Sequence, residues 1–253
     1  MKFNLPGWRP PRLEHVKAIL FDCVGTLFRV EADHGLQLKL LHERLKAEGF
    51  NLNYQTFMEA YRKAYAKYWK IRREELKEVS NMVWVAEALR LAGLEASSRD
   101  PAIERAVKDY FQPYLEAVKP VECLPSLFEE LKEQFKLGVV TNFTYAPAMR
   151  EILSSIGVVN FLDVVAISQE VGWRKPHPKI FKAALKGLKV NPEEALLVGD
   201  DPHDDVAGAK KMGIKAVLVF KPGNADKRFS EGEVSPDFQL PSVCSLKNIL
   251  GRG

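Results

Sequence analysis

ALLVGDDPHDD, the stretch at residues 195–205, carries more information about the fold than any other part of the chain. A short apolar run ends there in four carboxylates, which predicts a buried strand over residues 195–200 with acidic side chains at its carboxyl end. Carboxylates this close together repel one another unless a cation neutralises them. Because hard oxygen ligands around a small pocket favour Mg²⁺, the stretch also predicts a magnesium site.

Similar apolar runs occur at four other places in the chain. VKAILFD, residues 16–22, predicts a strand that ends in Asp22. Further strands are predicted at residues 136–141, 162–167 and 215–220, and helices at residues 124–134, 146–156, 177–188 and 203–212. This alternation predicts an α/β fold with a Rossmann-like, doubly wound, mostly parallel sheet.

Residues 34–118 contain no convincing strand, and their pattern predicts helices. Asp33 and Asp100 are suited to cap two of them, and apolar residues recur at helical spacing through residues 54–77 and 79–91. We therefore predict that an all-helical cap domain interrupts the core. The predicted boundaries are residues 1–30 and 120–253 for the core and residues 31–119 for the cap.

Two sets of side chains are predicted to form the interior of this helical segment. The first helix places four leucines on one side, and the second carries an aromatic stripe at i, i+4 spacing. These residues are Leu36, Leu40, Leu41 and Leu45, followed by Phe57, Tyr61, Tyr65 and Trp69.

Polar residues follow several of the predicted strands directly. In open α/β sheets the ligand binds outside the carboxyl ends of the strands. That rule selects Asp22, the pair Thr141 and Asn142, the loop after Ile167, and Asp200. These residues are therefore expected to surround one site.

Four motifs in this order resemble those of the haloacid dehalogenase (HAD) superfamily of hydrolases. They are FDCVGTL at residues 21–27, VVTN at residues 139–142, KPHP at residues 175–178, and VGDDPHDD at residues 198–205. The resemblance spans nearly the whole chain, including a helical cap at the position typical of the family's first cap class. It implies a Mg²⁺-dependent phosphatase that acts on a small phosphorylated metabolite.

The resemblance also implies a role for each motif residue. Asp22 would be the nucleophile that forms an aspartyl-phosphate. Mg²⁺ would be held by Asp22, the backbone carbonyl of Val24, Asp200 and Asp205. Thr141 and Lys175 would be catalytic and, together with Asn142, would bind the phosphate.

Val24 departs from the family pattern, because family phosphatases usually carry a second aspartate at that position. This aspartate protonates the leaving alkoxide and then activates water, so turnover of alkyl phosphates is expected to be slow. Glu31, Asp33, His34 and His203 are candidate replacements. For each of them, a role as surface charge, helix cap or solvated side chain is the simpler interpretation.

The departure leaves three alternatives open. A 2-haloacid dehalogenase also lacks the second aspartate, but the charge of Asp200 would oppose a carboxylate substrate. A phosphonate hydrolase would need a Schiff-base lysine from the cap, and the sequence singles none out. A degenerate member would bind a phosphorylated ligand or a partner protein without turnover.

Composition limits the cellular setting. The 253 residues are 46% hydrophobic and carry a net charge of +4 without segregation of sign, so neither nucleic acid nor a membrane is an expected partner. Three scattered cysteines without a CxxC pair support neither a disulfide framework nor a zinc ribbon. A reducing cytoplasm is the expected location.

Overall fold

The computed structural model describes residue 13 and residues 15–220 and 234–250. Its strands are β1 Ala18–Phe21, β2 Phe28–Val30, β3 Val118–Pro120, β4 Lys136–Thr141, β5 Val164–Ile167, β6 Ala195–Gly199, β7 Lys215–Val219 and β8 Phe238–Leu240. Its helices are α1 His34–Ala47, α2 Tyr54–Glu74, α3 Asn81–Leu91, α4 Pro101–Glu116, α5 Leu124–Lys132, α6 Ala146–Ser155, α7 Ser168–Val171, α8 Pro178–Leu188, α9 Gly208–Lys211 and α10 Lys247–Leu250.

Six of the strands form one sheet in the order β5-β4-β1-β6-β7-β8, and all five pairings are parallel. The predicted doubly wound α/β fold is confirmed. β1 lies at the centre, where Phe21 pairs with Val139 on one side and Val198 on the other. This register brings the residues that follow the three strands to one edge of the sheet.

Four helices, α1 to α4, stand between β2 and β3, as the sequence predicts. Asp33 caps α1 by accepting from the Gly35 and Leu36 N–H groups, and Asp100 caps α4 by accepting from the Ala102 N–H. α1 packs against α4 and α2 packs against α3. The exact division into core and cap stays a prediction.

The two chain segments that connect these helices to the sheet pair with each other. β2 and β3 form an antiparallel two-stranded ribbon, with Arg29 opposite Lys119. The sequence does not predict this ribbon, whose two strands lie at the ends of the range 34–118 in which no strand is expected. Three-residue strands give too short a pattern to recognise, and they are stabilised here by pairing across the whole helical segment.

The helical interior differs in part from the prediction. In α1, Leu41 and Leu45 are buried, but Leu36 is 44% exposed and Leu38 is buried in its place. The aromatic stripe of α2 begins in the core and ends outside it. Phe57 and Tyr61 are buried, whereas Tyr65 and Trp69 are exposed at 38% and 43%.

Two predicted helices end or wind differently from the expectation. α2 stops at Glu74 because Leu76 adopts the left-handed region, with φ of 56°, and the chain turns toward the core. The helix predicted at residues 203–212 begins as a π-helical turn, Pro202–Ala207, before α9. The turn wraps the chain around the carboxylates that follow β6.

A disulfide joins Cys123 to Cys244, with their Cα atoms 5.9 Å apart, and corrects the expectation that no disulfide is present. Their sequence separation of 121 residues says nothing about distance in space. The chain returns after β8 and brings Cys244 beside the start of α5. Cys23 is free and buried.

None of the helices within residues 15–220 and 234–250 combines the length and the apolar character that a bilayer crossing requires.

Candidate active site

Asp22 follows β1 directly and is 6% exposed at the carboxyl edge of the sheet. The Nζ of Lys175 donates to its Oδ1 over 2.6 Å, and the Thr26 hydroxyl donates to its Oδ2 over 3.4 Å. Burial raises the pKa of the Asp22 carboxyl, and the charge of Lys175 opposes that shift. One oxygen is thus held by an ammonium group, and the orientation of the carboxylate is fixed.

Lys175 connects Asp22 to the acidic cluster that follows β6. Its side chain is 2% exposed, and Nζ lies 2.6 Å from Asp205 Oδ1 while donating to the Val140 carbonyl over 2.8 Å. Burial alone would lower the pKa of Lys175, but Asp205 and Asp22 outweigh it and raise the pKa above its usual value. Lys175 is therefore a buried, fixed positive charge. Its motif taken alone would instead indicate a solvated lysine in a loop.

Three carboxylates converge where the sequence predicts a magnesium site. Asp22, Asp200 and Asp205 each offer an oxygen, and these atoms lie within 4.8 Å of one another. Burial, followed by the charge of Asp22, raises the pKa of Asp205 to about 7 against the opposing effect of Lys175. Buried carboxylates held this close are suited to a small hard cation.

Two glycines leave room for these carboxylates. A Cβ at Gly25 would lie 2.3 Å from Asp200 Oδ2, and one at Gly199 would lie 2.3 Å from Asp205 Oδ2. Gly25 also has a φ of 95°, which other residues rarely adopt. The donor atoms and the space around them therefore fit Mg²⁺.

Thr141 ends β4, the strand next to β1, and Asn142 follows it. Thr141 is 1% exposed. The Asn142 side chain donates from Nδ2 to the Lys175 carbonyl and to Asp204 Oδ2, and its Oδ1 accepts from the Lys175 N–H over 2.6 Å. The Asn142 side chain thus positions the lysine loop, while its backbone lies beside Thr141.

Val24 lies two residues beyond Asp22 and is 38% exposed. Asp201, which the chain places after Asp200, is outside the group of converging carboxylates and accepts from the His203 and Asp204 N–H groups. Its role is to stabilise the π-helical turn.

Candidate replacements for the missing aspartate are engaged elsewhere. Glu31 pairs with Lys119, and Asp33 caps α1. The Nδ1 of His34 lies 3.3 Å from the Tyr110 hydroxyl. Only His203 among the four lines a cavity that also includes Lys175.

A buried contact between the helical segment and α7 is not predicted from the sequence. Glu78 accepts from Arg72 Nε over 2.6 Å and from the Ser168 hydroxyl over 2.5 Å. The spacing of the basic residues 62–73 and of the glutamates that follow them predicts solvated ion pairs. No local pattern marks Arg72 for burial, because its partners come from distant parts of the chain.

Tyr114 is a second residue that the sequence did not indicate. It stands on α4, and its pKa is raised by burial and then by its proximity to Cys23 and Asp22, so it lies close to Asp22. Cys23 itself is buried, and burial raises the pKa of its thiol. Neither group is poised to ionise.

A separate cavity is lined by none of the three converging carboxylates Asp22, Asp200 and Asp205. It has a volume of about 420 Å³ and opens beside Lys17 and Lys215, at the amino ends of β1 and β7. Lys17 forms an ion pair with Glu194 there. Because ligands of such sheets bind at the opposite edge, this cavity is not the candidate active site.

Comparison with known proteins agrees with the geometry. Residues 47–219 match the model of the haloacid dehalogenase-like hydrolase family. The chain is 28% identical to a glyceraldehyde 3-phosphate phosphatase of Methanopyrus kandleri, over 93% of this chain and 97% of that protein. It is 29% identical to a ribulose-1,5-bisphosphate 5-phosphatase of Halopiger xanaduensis, over 92% and 98%.

Solved structures extend the likeness to the fold. The crystal structure of a 2-haloacid dehalogenase from Pseudomonas syringae superposes with a TM-score of 0.70 at 21% identity, over 93% of this chain and 98% of that one. The matched family model covers more than half of the chain, and the fold agrees with it. The chain belongs to the haloacid dehalogenase-like hydrolase family.

Proposed function

We propose that this protein is a Mg²⁺-dependent phosphatase of a small phosphorylated metabolite, with Asp22 as the nucleophile. One observation carries the proposal. A buried lysine lies 2.6 Å from both Asp22 and Asp205, at an edge of the sheet where Asp200 also converges. The two relatives compared above are both named as phosphatases, and their names support the same reaction class.

In the first step, a carboxylate oxygen of Asp22 attacks phosphorus in line. A new P–O bond forms to Asp22, and the bond to the ester oxygen breaks, so that the alcohol leaves as an alkoxide that must gain a proton. Water then attacks the phosphorus of the aspartyl-phosphate. The P–O bond to Asp22 breaks, and inorganic phosphate and the free carboxylate are released.

Fixed groups of the chain stabilise the charge that develops in both steps. Lys175 supplies a positive charge beside Asp22, and Thr141 and the Asn142 backbone N–H offer donors to phosphoryl oxygens. These groups are held by the sheet and by the Asn142 side chain, so they need little reorganisation during the reaction.

Mg²⁺ would be bound by Asp22, Asp200, Asp205 and the Val24 carbonyl, where it would screen the repulsion between the nucleophile and the phosphate. Lys175 lies between Asp22 and Asp205 and thereby fixes the orientation of these two carboxylates.

Val24 supplies no proton to the leaving group. General acid–base assistance is worth ~10²–10⁴-fold, so alkyl phosphates are turned over slowly and aryl or acyl phosphates suffer less. The expected difference between alkyl and aryl phosphates therefore follows from the side chain of Val24, which cannot donate a proton.

The proposed cap, residues 31–119, covers the carboxyl edge of the sheet and excludes water from the reaction. The small phosphorylated substrate is the only partner proposed, without nucleic acid or a membrane. We place the protein in the cytoplasm.

The test is a panel of aryl, acyl and alkyl phosphates assayed with and without Mg²⁺, on the wild type and on Asp22→Asn. We expect Mg²⁺-dependent phosphate release that is fastest from aryl and acyl phosphates and absent from the variant. Inactivity across the whole panel would favour a non-catalytic binding protein. Halide release from a haloacid without metal, or trapping of substrate by borohydride, would favour one of the other two chemistries.

A further inference from the structure

A cationic cavity lies beside the proposed phosphate site, and its arginines play no part in the mechanism above. It has a volume of about 200 Å³, and three arginines line it: Arg72 and Arg73 from the end of α2, and Arg174 from the loop before α8. We call it the arginine cavity. It forms at the point where the helical segment pairs with the core, because the Arg174 N–H donates to the Leu76 carbonyl over 3.0 Å.

Arg174 is the most informative residue of this cavity. It is 9% exposed, and within the described part of the chain its buried Nη1 has no hydrogen-bond acceptor. Burial, and next the charge of Arg72, lowers its pKa. A buried guanidinium nitrogen that lacks an acceptor carries a large desolvation cost. An anion in the cavity would remove that cost.

Arg72 already has a counter-ion of its own. Its Nε donates to Glu78 Oε1 over 2.6 Å, and the Glu78 side chain is completely buried. The same carboxylate accepts from the Ser168 hydroxyl and from the Val79 N–H. Glu78 therefore binds Arg72 and stabilises the contact between the helical segment and the core. It forms no hydrogen bond with Arg174.

Asp204 is the carboxylate that lines the cavity itself, and it too is engaged. Its Oδ2 accepts from Asn142 Nδ2 over 3.0 Å, and its Oδ1 lies 2.8 Å from His203 Nδ1. Three guanidinium groups thus face two carboxylates that have other partners. The three arginines together with Glu78 and Asp204 carry one excess positive charge, and Lys175 in the cavity lining is not included in this count.

The position of the cavity relates it to the reaction. Lys175 contributes to its lining and also contacts Asp22 over 2.6 Å. The arginine cavity and the phosphoryl-transfer site therefore lie on either side of one residue. A small molecule whose phosphoryl group faces Asp22 would be able to extend its other end toward Arg174.

We propose that the arginine cavity is a second anion-binding subsite, so that the substrate carries a second anionic group in addition to the phosphoryl group that Asp22 attacks. This proposal rests on the proposed function and narrows it to phosphorylated acids and bisphosphates. A carboxylate or a second phosphate would satisfy Arg174 by the same charge-assisted hydrogen bonds. Arg73, which is exposed at the rim, would add attraction during binding.

The test compares matched substrates that differ only at the end remote from the ester. One pair is 3-phosphoglycerate and glycerol 3-phosphate, and pairs of other chain lengths allow for the span between subsites. A bisphosphate of the same carbon chain separates a preference for phosphate from one for carboxylate. The quantity measured is the ratio of kcat/KM within each pair, for the wild type, Arg174→Met, Arg174→Lys and Arg62→Met.

For at least one chain length, the wild type should prefer the doubly anionic member. Arg174→Met should reduce that ratio by ~10–100-fold, the usual worth of a hydrogen bond to a charged group. Arg174→Lys should keep part of the preference. Arg62→Met is the matched control, because Arg62 is exposed on α2 and lies about 15 Å along the helix axis from Arg72. It should leave the ratio at the wild-type value.

Failure of the subsite is distinguishable from failure of the phosphatase. Turnover of both members at equal efficiency, or a ratio that survives Arg174→Met, would overturn the subsite and leave the phosphatase standing. If no phosphate is turned over, calorimetric titration of Asp22→Asn with both members of a pair decides the question. Tighter binding of the diacid that weakens with Arg174→Met supports the subsite, and equal binding refutes it.

Discussion

Replacing Val24 by aspartate tests the chemical consequence of the departure from the family pattern. A carboxyl group at this position would protonate the leaving alkoxide and deprotonate the attacking water. We expect ~10²–10⁴-fold faster turnover of an alkyl phosphate, which corresponds to about 2.7–5.4 kcal/mol of barrier. The rate with an aryl phosphate should change far less, because its leaving group needs no proton.

The structure indicates that this substitution is well tolerated. Val24 is 38% exposed, so a new carboxylate at that position keeps much of its hydration. The stability cost of such a change is about 0.5 kcal/mol, several times smaller than the expected gain in transition-state stabilisation. The Val24 carbonyl belongs to the backbone and is retained as a proposed metal ligand.

The assay is phosphate release from glycerol 3-phosphate and from para-nitrophenyl phosphate at saturating Mg²⁺. Val24→Asn is the matched control, because it has the shape and polarity of aspartate without a proton to transfer at neutral pH. An equal rate for the two variants on the alkyl ester would refute the missing-acid reasoning. It would mean that another group, such as His203, already serves.

Three further substitutions report on the site and on the fold. Lys175→Met removes the positive charge that compensates two buried carboxylates. Measured in EDTA, it should lower the free energy of unfolding by about 3–5 kcal/mol, which corresponds to a fall in Tm of roughly 6–20 °C. Lys182→Met is the control, because Lys182 is exposed and its replacement should change the Tm little. Cys123→Ser should cost about 2–4 kcal/mol, and a reductant should lower the Tm of the wild type but not of this variant. Gly25→Ala places a Cβ 2.3 Å from Asp200 Oδ2 and should therefore displace a proposed metal ligand. The Mg²⁺ concentration that gives half-maximal activity should rise by ~10–100-fold when activity is titrated with metal. An unchanged titration would contradict the proposed metal site.

The convergence of the site could be predicted because it depends on local patterns. Apolar runs that end in Asp22, Thr141 and Asp200 mark strands of a parallel sheet, and such strands bring their carboxyl ends together. The motif resemblance then adds Lys175 to the same place. The structure brings its Nζ to within 2.6 Å of Asp22.

Features that depend on distant partners could not be predicted. The β2–β3 ribbon joins segments that are separated by the whole helical insertion, and the disulfide joins Cys123 to Cys244 across 121 residues. Burial of Arg72 depends on Glu78 and on a helix that begins at Ser168. None of these contacts can be inferred from a single sequence, and the local pattern around Arg72 therefore predicts a solvated surface charge.

The most direct test of the central claim is to observe the covalent intermediate. The enzyme would be mixed with an aryl phosphate and Mg²⁺, quenched in acid within a single turnover, digested, and analysed by mass spectrometry. Because Val24 offers no base to activate water, the intermediate should accumulate, with one phosphoryl group on the peptide that contains Asp22. Release of phosphate while that peptide stays unmodified, or the same release by Asp22→Asn, would contradict nucleophilic attack by this aspartate.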